Sequence, residues 1–475
     1  LDWNLAYSQA HRDEPDRRTS TYERSNPEDA YKLGGISNYP LQRIFGESND
    51  YDRSMKLDWT VPFAGWAEGE SKVKVGTSYR TKDRDSEFRR FGFRRVAREP
   101  VDLTQSPELL LGDDNADGGH FRLEELTQAN DAWVADQTVT GAYAMVDMPL
   151  AGGVRLTTGA RYEESEQSVL AQSSYATSGD GITVTHRDYD LLPSVNVTLN
   201  PRRDMNLRLA YARTVNRPEL RELSPFSMYN FETGYSETGD TSIVTARLDH
   251  YDMRWEYYPG PGEFVSLGVF YKTFDRPIQK FVFPDVGGYA LRPVNGEDAE
   301  LYGWEAEVRL SFVNVWKALD WTLDLGEVPE SMLRWSLVAN HSRVRSLVHI
   351  VNANGDLVST PFAGQSPYST NFGLFYATRN RRFDAGLLYK SFGKRLDAFG
   401  FARIPDIYEH PPESLDFSMS YGLSEGARLK FSAENMLDEA TEYHQGAKIT
   451  QRYRAGVKFG LAISYQPMEP DEGEE

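Results

Sequence analysis

The sequence predicts an all-β fold, a transmembrane antiparallel β-barrel of about sixteen strands with short periplasmic turns and long extracellular loops. Three observations carry that prediction. Apolar and polar residues alternate with a period of two through most of the 475 residues, as they do in strands with one apolar face. No apolar run approaches the roughly 18–20 residues that a membrane-spanning helix needs. Short and long connections between the alternating segments take turns along the chain.

Composition fits this picture and excludes others. Only 40% of residues are hydrophobic, yet 13% are aromatic, with 27 Tyr and 24 Phe. There is no cysteine, so disulfides and thiolate metal sites are excluded. A formal charge of −19 opposes nucleic-acid binding, which wants a basic surface, and simple adhesion to anionic lipid. The chain opens at Leu1 with neither an initiator Met nor a signal peptide, and residues 2–8 already read as strand interior. It is therefore expected to be a fragment or a processed chain.

The strands follow in order. Met55, Leu57, Trp59, Val61 and Phe63 oppose Ser54, Lys56, Asp58 and Thr60; Val73, Val75 and Tyr79 oppose Lys72, Lys74 and Arg80. Leu191, Val195, Val197 and Leu199 oppose Asp190, Ser194, Asn196 and Thr198. In 206–216, Leu207, Leu209, Tyr211 and Val215 share one face until Arg217-Pro218 stops the strand, because proline brings no N–H to the ladder. Tyr302 to Leu310, Leu415 to Leu423 and Val457 to Tyr465 alternate likewise. No long segment has convincing helical periodicity.

Short connections are PLAGG, NPRRD, PGPGE, RNRR and SEGA. Long ones span residues 81–132, 166–187, 216–243, 276–295, 347–365, 394–412 and 437–453, with one lapse, a middling connection at 313–331. Sorting by length puts every long loop on one side, which a soluble sandwich or propeller has no reason to do. Rings cluster beside short turns (Trp255, Tyr257 and Tyr258; Trp59, Phe63 and Trp66), where amphipathic side chains find the headgroup level.

No enzyme is legible, and no cofactor is expected. The eight histidines are scattered without paired ligand spacing, so no metal site is expected. A phosphate loop and a nucleophile elbow are also missing. Carboxylates such as Glu305 and Glu307 read as a wet, charged lumen. One segment stands out, RDSEFRRFGFRRVAR (84–98), where Arg84, Arg89, Arg90, Arg94, Arg95 and Arg98 interleave with Phe88, Phe91 and Phe93. Guanidinium forks and rings of this kind suit an anionic ligand or lipopolysaccharide. The competing reading is an extended hairpin above the membrane whose arginines pair with Asp83, Asp85, Glu87 and Glu99.

ARTVNRPELRELSPF (212–226) resembles the S-R-T-x-x-R-P-x-F-R-E-L-x-P-F motif of TonB-dependent outer-membrane receptors. The resemblance continues in order through YDMRWEYYPGPGEFVSLGVFYKTFDRPIQK (251–280), NGEDAELYGWEAEVR (295–309), LDFSMSYGL and LKFSAENMLDE (415–439) and YRAGVKFGLAISY (453–465). Ala212 replaces the usual Ser, Leu220 the usual aromatic, and an acidic tail (468–475) follows the usual terminal ring. The resemblance implies a barrel of about twenty-two strands with a plugged lumen, of which residues 1–467 would be the C-terminal part, without the plug. It implies TonB-dependent uptake of a scarce nutrient (a ferric siderophore, cobalamin or a glycan) across the outer membrane of a Gram-negative bacterium. The implied partners are the TonB complex acting through the plug, lipopolysaccharide and membrane lipid, and the small ligand, around a monomeric barrel. The alternative is a complete sixteen-strand passive porin, since an even count could close by itself; a soluble all-β adhesin is a third class.

In the opening motif Arg213 falls on the lipid-side phase, so it marks the outer interface, where its head can snorkel. Arg217, Glu219, Arg221 and Glu222, beside Pro218, are expected to form an ion-pair cluster at the loop base. The motif then anchors the rim first and touches ligand second.

Overall fold

The computed structural model describes residues 1–34, 39–96, 101–112, 120–128, 131–171, 182–230, 233–285, 288–352 and 354–466. Sixteen strands follow one another round the wall in chain order. They are β1 (Asp2–Ser20), β2 (Leu41–Phe63), β3 (Ser71–Arg95), β4 (Ala132–Ala151), β5 (Val154–Ala171), β6 (Ile182–Arg202), β7 (Met205–Asn216) and β8 (Ala246–Tyr257). Then come β9 (Phe264–Asp275), β10 (Asp298–Ser311), β11 (Trp335–Val351), β12 (Tyr368–Ala377), β13 (Phe383–Phe392), β14 (Ser414–Gly422), β15 (Ala427–Glu434) and β16 (Lys458–Tyr465). Each pairs antiparallel with the next. Among the described residues β1 and β16 pair on one side only. A sixteen-strand porin would join those two edges, because an unpaired edge is not viable in hydrocarbon; the porin reading is not favoured.

Paired residues across a ladder share a face, so the register carries one polarity all the way round. The outward face exposes Leu5, Met55, Trp59, Tyr162, Leu191, Leu209, Met253, Val269, Phe372 and Leu461. The inward face is the polar one, and there the carboxylates are buried. Asp58 accepts the Tyr143 hydroxyl at 2.5 Å, with Lys56 and Lys74 at 3.1 and 3.3 Å. Glu256 accepts from Asn206 and Arg208 at 3.1 and 3.0 Å. Apolar residues outside and charges inside invert the ordinary soluble arrangement.

Rings edge this belt at two levels. Tyr211, Tyr251, Tyr271 and Tyr302 are in register on four consecutive strands. The Tyr211 and Tyr271 hydroxyls reach Asp249 at 2.7 Å and Glu300 at 3.1 Å, one step nearer the long loops. At the short-turn end lie Trp255, Tyr257, Trp335, Tyr376 and Phe383.

Two sequence expectations are corrected. Residues 81–95 are not loop but the upper half of β3, which runs for 25 residues beside a 23-residue β2. Alternation continues there, hidden because both faces carry charge. The lapse at 313–331 contains a helix, Phe312–Leu323, on the short-turn side; its Val and Trp residues are weak helix formers and masked it.

An arginine at Leu209, mid-belt and opposite Met253, should cost about 2–4 kcal/mol of stability in a bilayer. Equilibrium unfolding from phospholipid vesicles measures this. A Leu209→Arg protein as stable as wild type would mean that this face does not meet lipid.

Candidate ligand vestibule and its rim

The long loops build a second, eight-stranded sheet, here called the crown. Its strands are Ser227–Asn230, Tyr235–Thr238, Gly288–Asn295, Ile278–Asp285, Arg395–Gly400, Ile407–His410, Thr441–Gln445 and Lys448–Tyr453. Four hairpins from four loops are joined edge to edge, two of the joints being parallel. One crown face sets Phe281, Phe283, Phe399 and Phe401 against Phe274, Ala299, Val348 and Ile350 of the wall. By register those wall residues point inward, so the crown lies inside the wall and its other face looks toward the barrel axis.

That second face carries Tyr235, Val282, Ala398, Ile407 and Tyr443. A cavity of about 470 Å³ opens there, lined by Thr233, Tyr235, Asp397, Ile407, Tyr443, Thr450, Gln451 and Tyr453. Two β-bulges aim side chains into it. Asp397 is the unpaired residue between Leu396 and Ala398, and Thr450 is skipped where the register slips beside Tyr443. A bulge does this by inserting one residue that the partner strand cannot match. Burial raises the Asp397 carboxyl, against the pull of Lys280. Burial, with Glu409 and Asp397 nearby, pushes Tyr443 up to about 12, so its hydroxyl stays a donor. The sequence places Tyr443 and Tyr453 in a long loop but gives no sign of the bulges or of the four-loop assembly. Among further rings of the long loops, Phe399 and Phe401 face the wall and Tyr408 lies under Lys394 at 4.3 Å.

The rim motif is a latch. Leu220, Leu223 and Phe226 are inserted among Ile44, Phe88, Trp133, Ala135 and Val169 on the inner side of β2–β5. Phe226 stacks on Phe88 at 4.9 Å, with the Arg221 and Arg90 guanidiniums over its ring at 4.9 and 5.4 Å. Pro218 contributes its carbonyl, which accepts from Gln167 at 2.8 Å in a buried setting. Arg217 reaches Glu163 and Asp190 at 2.9 and 3.2 Å, and Arg247 at the far end of the same loop reaches Asp190 at 2.9 Å. The loop base is thus clamped by carboxylates of β5 and β6. The expected cluster within the motif is not what forms. Glu219 and Glu222 make a reciprocal capping box on the turn Leu220–Leu223, and Arg221 donates to the Glu237 carbonyl at 2.9 Å. Burial lowers Arg221 to about 10, well below the usual guanidinium value. Arg213 pairs with Asp249 at 2.9 Å just above the tyrosine row.

The arginine-rich segment splits between the faces of β3. Arg84, Arg90 and Arg94 take the inward phase with Phe88, and Arg89, Phe91, Phe93 and Arg95 the outward one. The pairing partners come from neighbouring elements, not from Asp83, Asp85 and Glu87. Arg84 bonds Asp50, Arg89 bonds Glu125 at 3.2 Å, Arg90 bonds Asp131 at 2.8 Å and Arg94 bonds Glu124 at 2.6 Å. Asp83 is taken by Arg53 at 2.6 Å. Phe93 packs on Leu33, Leu41, Leu110 and Phe121, while Phe91 meets Phe45 edge-on at 5.8 Å. Arg98, Glu99 and the acidic tail lie outside the described residues.

Removing the Phe226 ring, 2% exposed, should cost the latch about 3–5 kcal/mol. Phe226→Ala is expected to open loop 217–245 to protease while the wall keeps its resistance to unfolding in detergent. The crown should respond to acid. His410 and His444 lie ring to ring at 4.2 Å. Burial, His444 and Lys394 hold His410 below the usual imidazole value, against the pull of Glu442. A lowered native value means the loosened hairpin binds the proton more readily. The stability it contributes is full above about pH 6.5 and is lost as pH falls through the lower native value. Amide exchange in 407–410 and 441–445, corrected for intrinsic rates, should therefore quicken between about pH 7 and 5, and His410→Gln should flatten that dependence.

Comparison with known proteins agrees with this architecture. The family model "TonB dependent receptor-like, beta-barrel" matches residues 1–436. No curated protein matches the chain in sequence. Among solved structures, the siderophore receptor PiuA from Acinetobacter baumannii superposes with a TM-score of 0.56 at 12% identity, covering 90% of this chain and 57% of that one. The FpvAI–pyocin S2 complex gives 0.60 at 12% identity, covering 98% of this chain and 54% of that one. The copper transporter OprC gives 0.57 at 12% identity, covering 92% and 64%. The chain spans little more than half the length of the first two of these structures, and at such identities the likeness is one of fold. A single family model spans residues 1–436, most of the sequence, so the chain belongs to the TonB-dependent receptor β-barrel family.

Proposed function

We propose that this chain forms the wall and outer loops of an outer-membrane receptor that captures a scarce nutrient at its long-loop face for TonB-driven uptake. The observation that carries the reading is the crown, folded inside the wall with a tyrosine-lined cavity turned to the axis. A ligand seated there lies on the path through the barrel. The charged inner wall, with Asp58, Asp147 and Glu256 held by cations and hydroxyls, offers a wet surface on which a plug could slide when the TonB complex acts on it. In this reading the barrel is monomeric and stands in the outer membrane of a Gram-negative bacterium. The family comprises receptors rather than enzymes.

Of the three nutrient classes the sequence raises, the cavity fits a glycan best. Tyr235, Tyr443 and Tyr453 offer flat faces for the apolar side of a sugar ring. Asp397, Thr450 and Gln451 offer acceptors and donors for hydroxyls. An anionic ferric chelate would instead want unpaired cations, and Arg84, Arg89, Arg90 and Arg94 are each bonded to a carboxylate. The outward Arg89, with Phe91 and Phe93, sits above the lipid belt, where lipopolysaccharide would lie; there the guanidinium would exchange Glu125 for a lipid phosphate.

Growth of the host, with and without the intact gene, on neutral oligosaccharides, ferric catecholates and cobalamin as limiting nutrients discriminates the classes. Rescue is expected on an oligosaccharide, and Tyr443→Ala should weaken binding of that sugar about tenfold or more, the ~1.4 kcal/mol of one lost stacking contact. Rescue by a ferric catecholate that survives Tyr443→Ala would sink the glycan assignment.

A further inference from the structure

On the short-turn side the connection between β10 and β11 departs from the others. It carries a twelve-residue helix, Phe312–Leu323, of which no residue is buried. At about 100° per residue, Phe312, Val315, Trp316, Leu319 and Leu323 form one apolar stripe, with Asn314, Lys317 and Trp321 opposite. The helix start is fixed to the foot of the wall: Glu263 accepts from the Ser311 backbone at 2.8 Å and from the Asn314 side chain. The far end projects. Leu319 and Leu323 are 45% and 62% exposed, joined by Leu325 and Leu333 at 38% and 53% on the returning limb. Trp316 donates to the Gly326 carbonyl at 3.0 Å and Gly326 to Asp320 at 2.8 Å, which folds that limb back against the helix.

The return limb ends on the outward side of the wall. Arg334 donates to the Tyr376 hydroxyl at 3.4 Å. Tyr376 is in register with Trp335 and in ring contact with Phe383, at 5.1 and 6.2 Å. The return limb, with the exposed Leu333 next to Arg334, therefore meets the outward face at its lower edge. The connection holds two cations, Lys317 and Arg334, against four carboxylates, Asp320, Asp324, Glu327 and Glu330, which repels an anionic surface and tolerates a zwitterionic one.

We propose that this helix lies in the headgroup layer of the periplasmic leaflet, with Leu319, Leu323, Leu325 and Leu333 seated in zwitterionic phospholipid. It extends the lipid contact of the barrel beyond its own circumference. Interfacial helices are held in this way by one apolar face at the boundary of headgroup and acyl chain. The inference rests on the membrane placement proposed above.

The chain has no cysteine, so single spin labels need no prior substitution. Labels at Leu323→Cys, Lys317→Cys and Leu209→Cys are read in the full protein reconstituted into phosphatidylethanolamine–phosphatidylcholine vesicles, by relaxation with oxygen and with a water-soluble nickel chelate. Leu323 and Leu209 should be relaxed several-fold more by oxygen than by nickel, and Lys317 the reverse. Leu319→Cys repeats the measurement should Leu323→Cys not insert. Nickel access at Leu323 equal to that at Lys317 would overturn the proposal, as would a label shielded from both reagents, which means a protein neighbour. A Leu209 label open to nickel would instead overturn the membrane placement, so the two failures are separate.

Discussion

The antiparallel ladder is the constraint on which everything else in this protein depends. A strand in hydrocarbon must find a partner for every backbone N–H and C=O, and only a neighbouring strand can supply them. Once the ladder is set, cross-strand partners share a face, and one residue of slippage would turn charge toward lipid. That is why Leu209, Met253 and Val269 are in register on one side while Arg208, Arg254 and Gly268 are in register on the other. The buried carboxylates follow from the same register. They are not a soluble core turned inside out by chance; the inward phase is the only one where Asp58 and Glu256 can keep their partners.

The wall was legible in sequence because its rule is local. Period-two alternation survives in a window of about ten residues, and the short–long rhythm of connections needs only the order of segments along the chain. Where alternation loses its apolar half, as in the upper part of β3, the sequence pattern resembles a loop although the ladder with β2 continues to Phe93. The helix Phe312–Leu323 is hidden in the sequence for a different reason. Its Val and Trp residues suit a strand as well as a helix, and what decides is the foot of the wall to which Ser311 and Asn314 are tied.

The vestibule was illegible because it is made by pairs distant in sequence. Nothing near Arg217 announces Glu163 and Asp190 as its partners, and nothing near Arg90 announces Phe226. The motif at 212–226 carries a family resemblance, but its residues hold a loop down by packing, capping and stacking rather than by ion pairs among themselves. Asp397 and Thr450 owe their direction to bulges, and a bulge is a mismatch between two strands that neither strand's sequence records.

The crown also bears on the order in which the molecule comes into being. The Tyr235 hydroxyl bonds Gln445 at 3.2 Å across 210 residues of chain, whereas wall neighbours such as β4 and β5 meet through a two-residue turn. Closing a long loop costs more entropy than closing a hairpin, and its contacts return nothing until the ends are held. Hairpins therefore zip the wall first, and the crown closes over it last. The same ordering runs backwards under stress: the crown and its cavity are dismantled while the wall still stands.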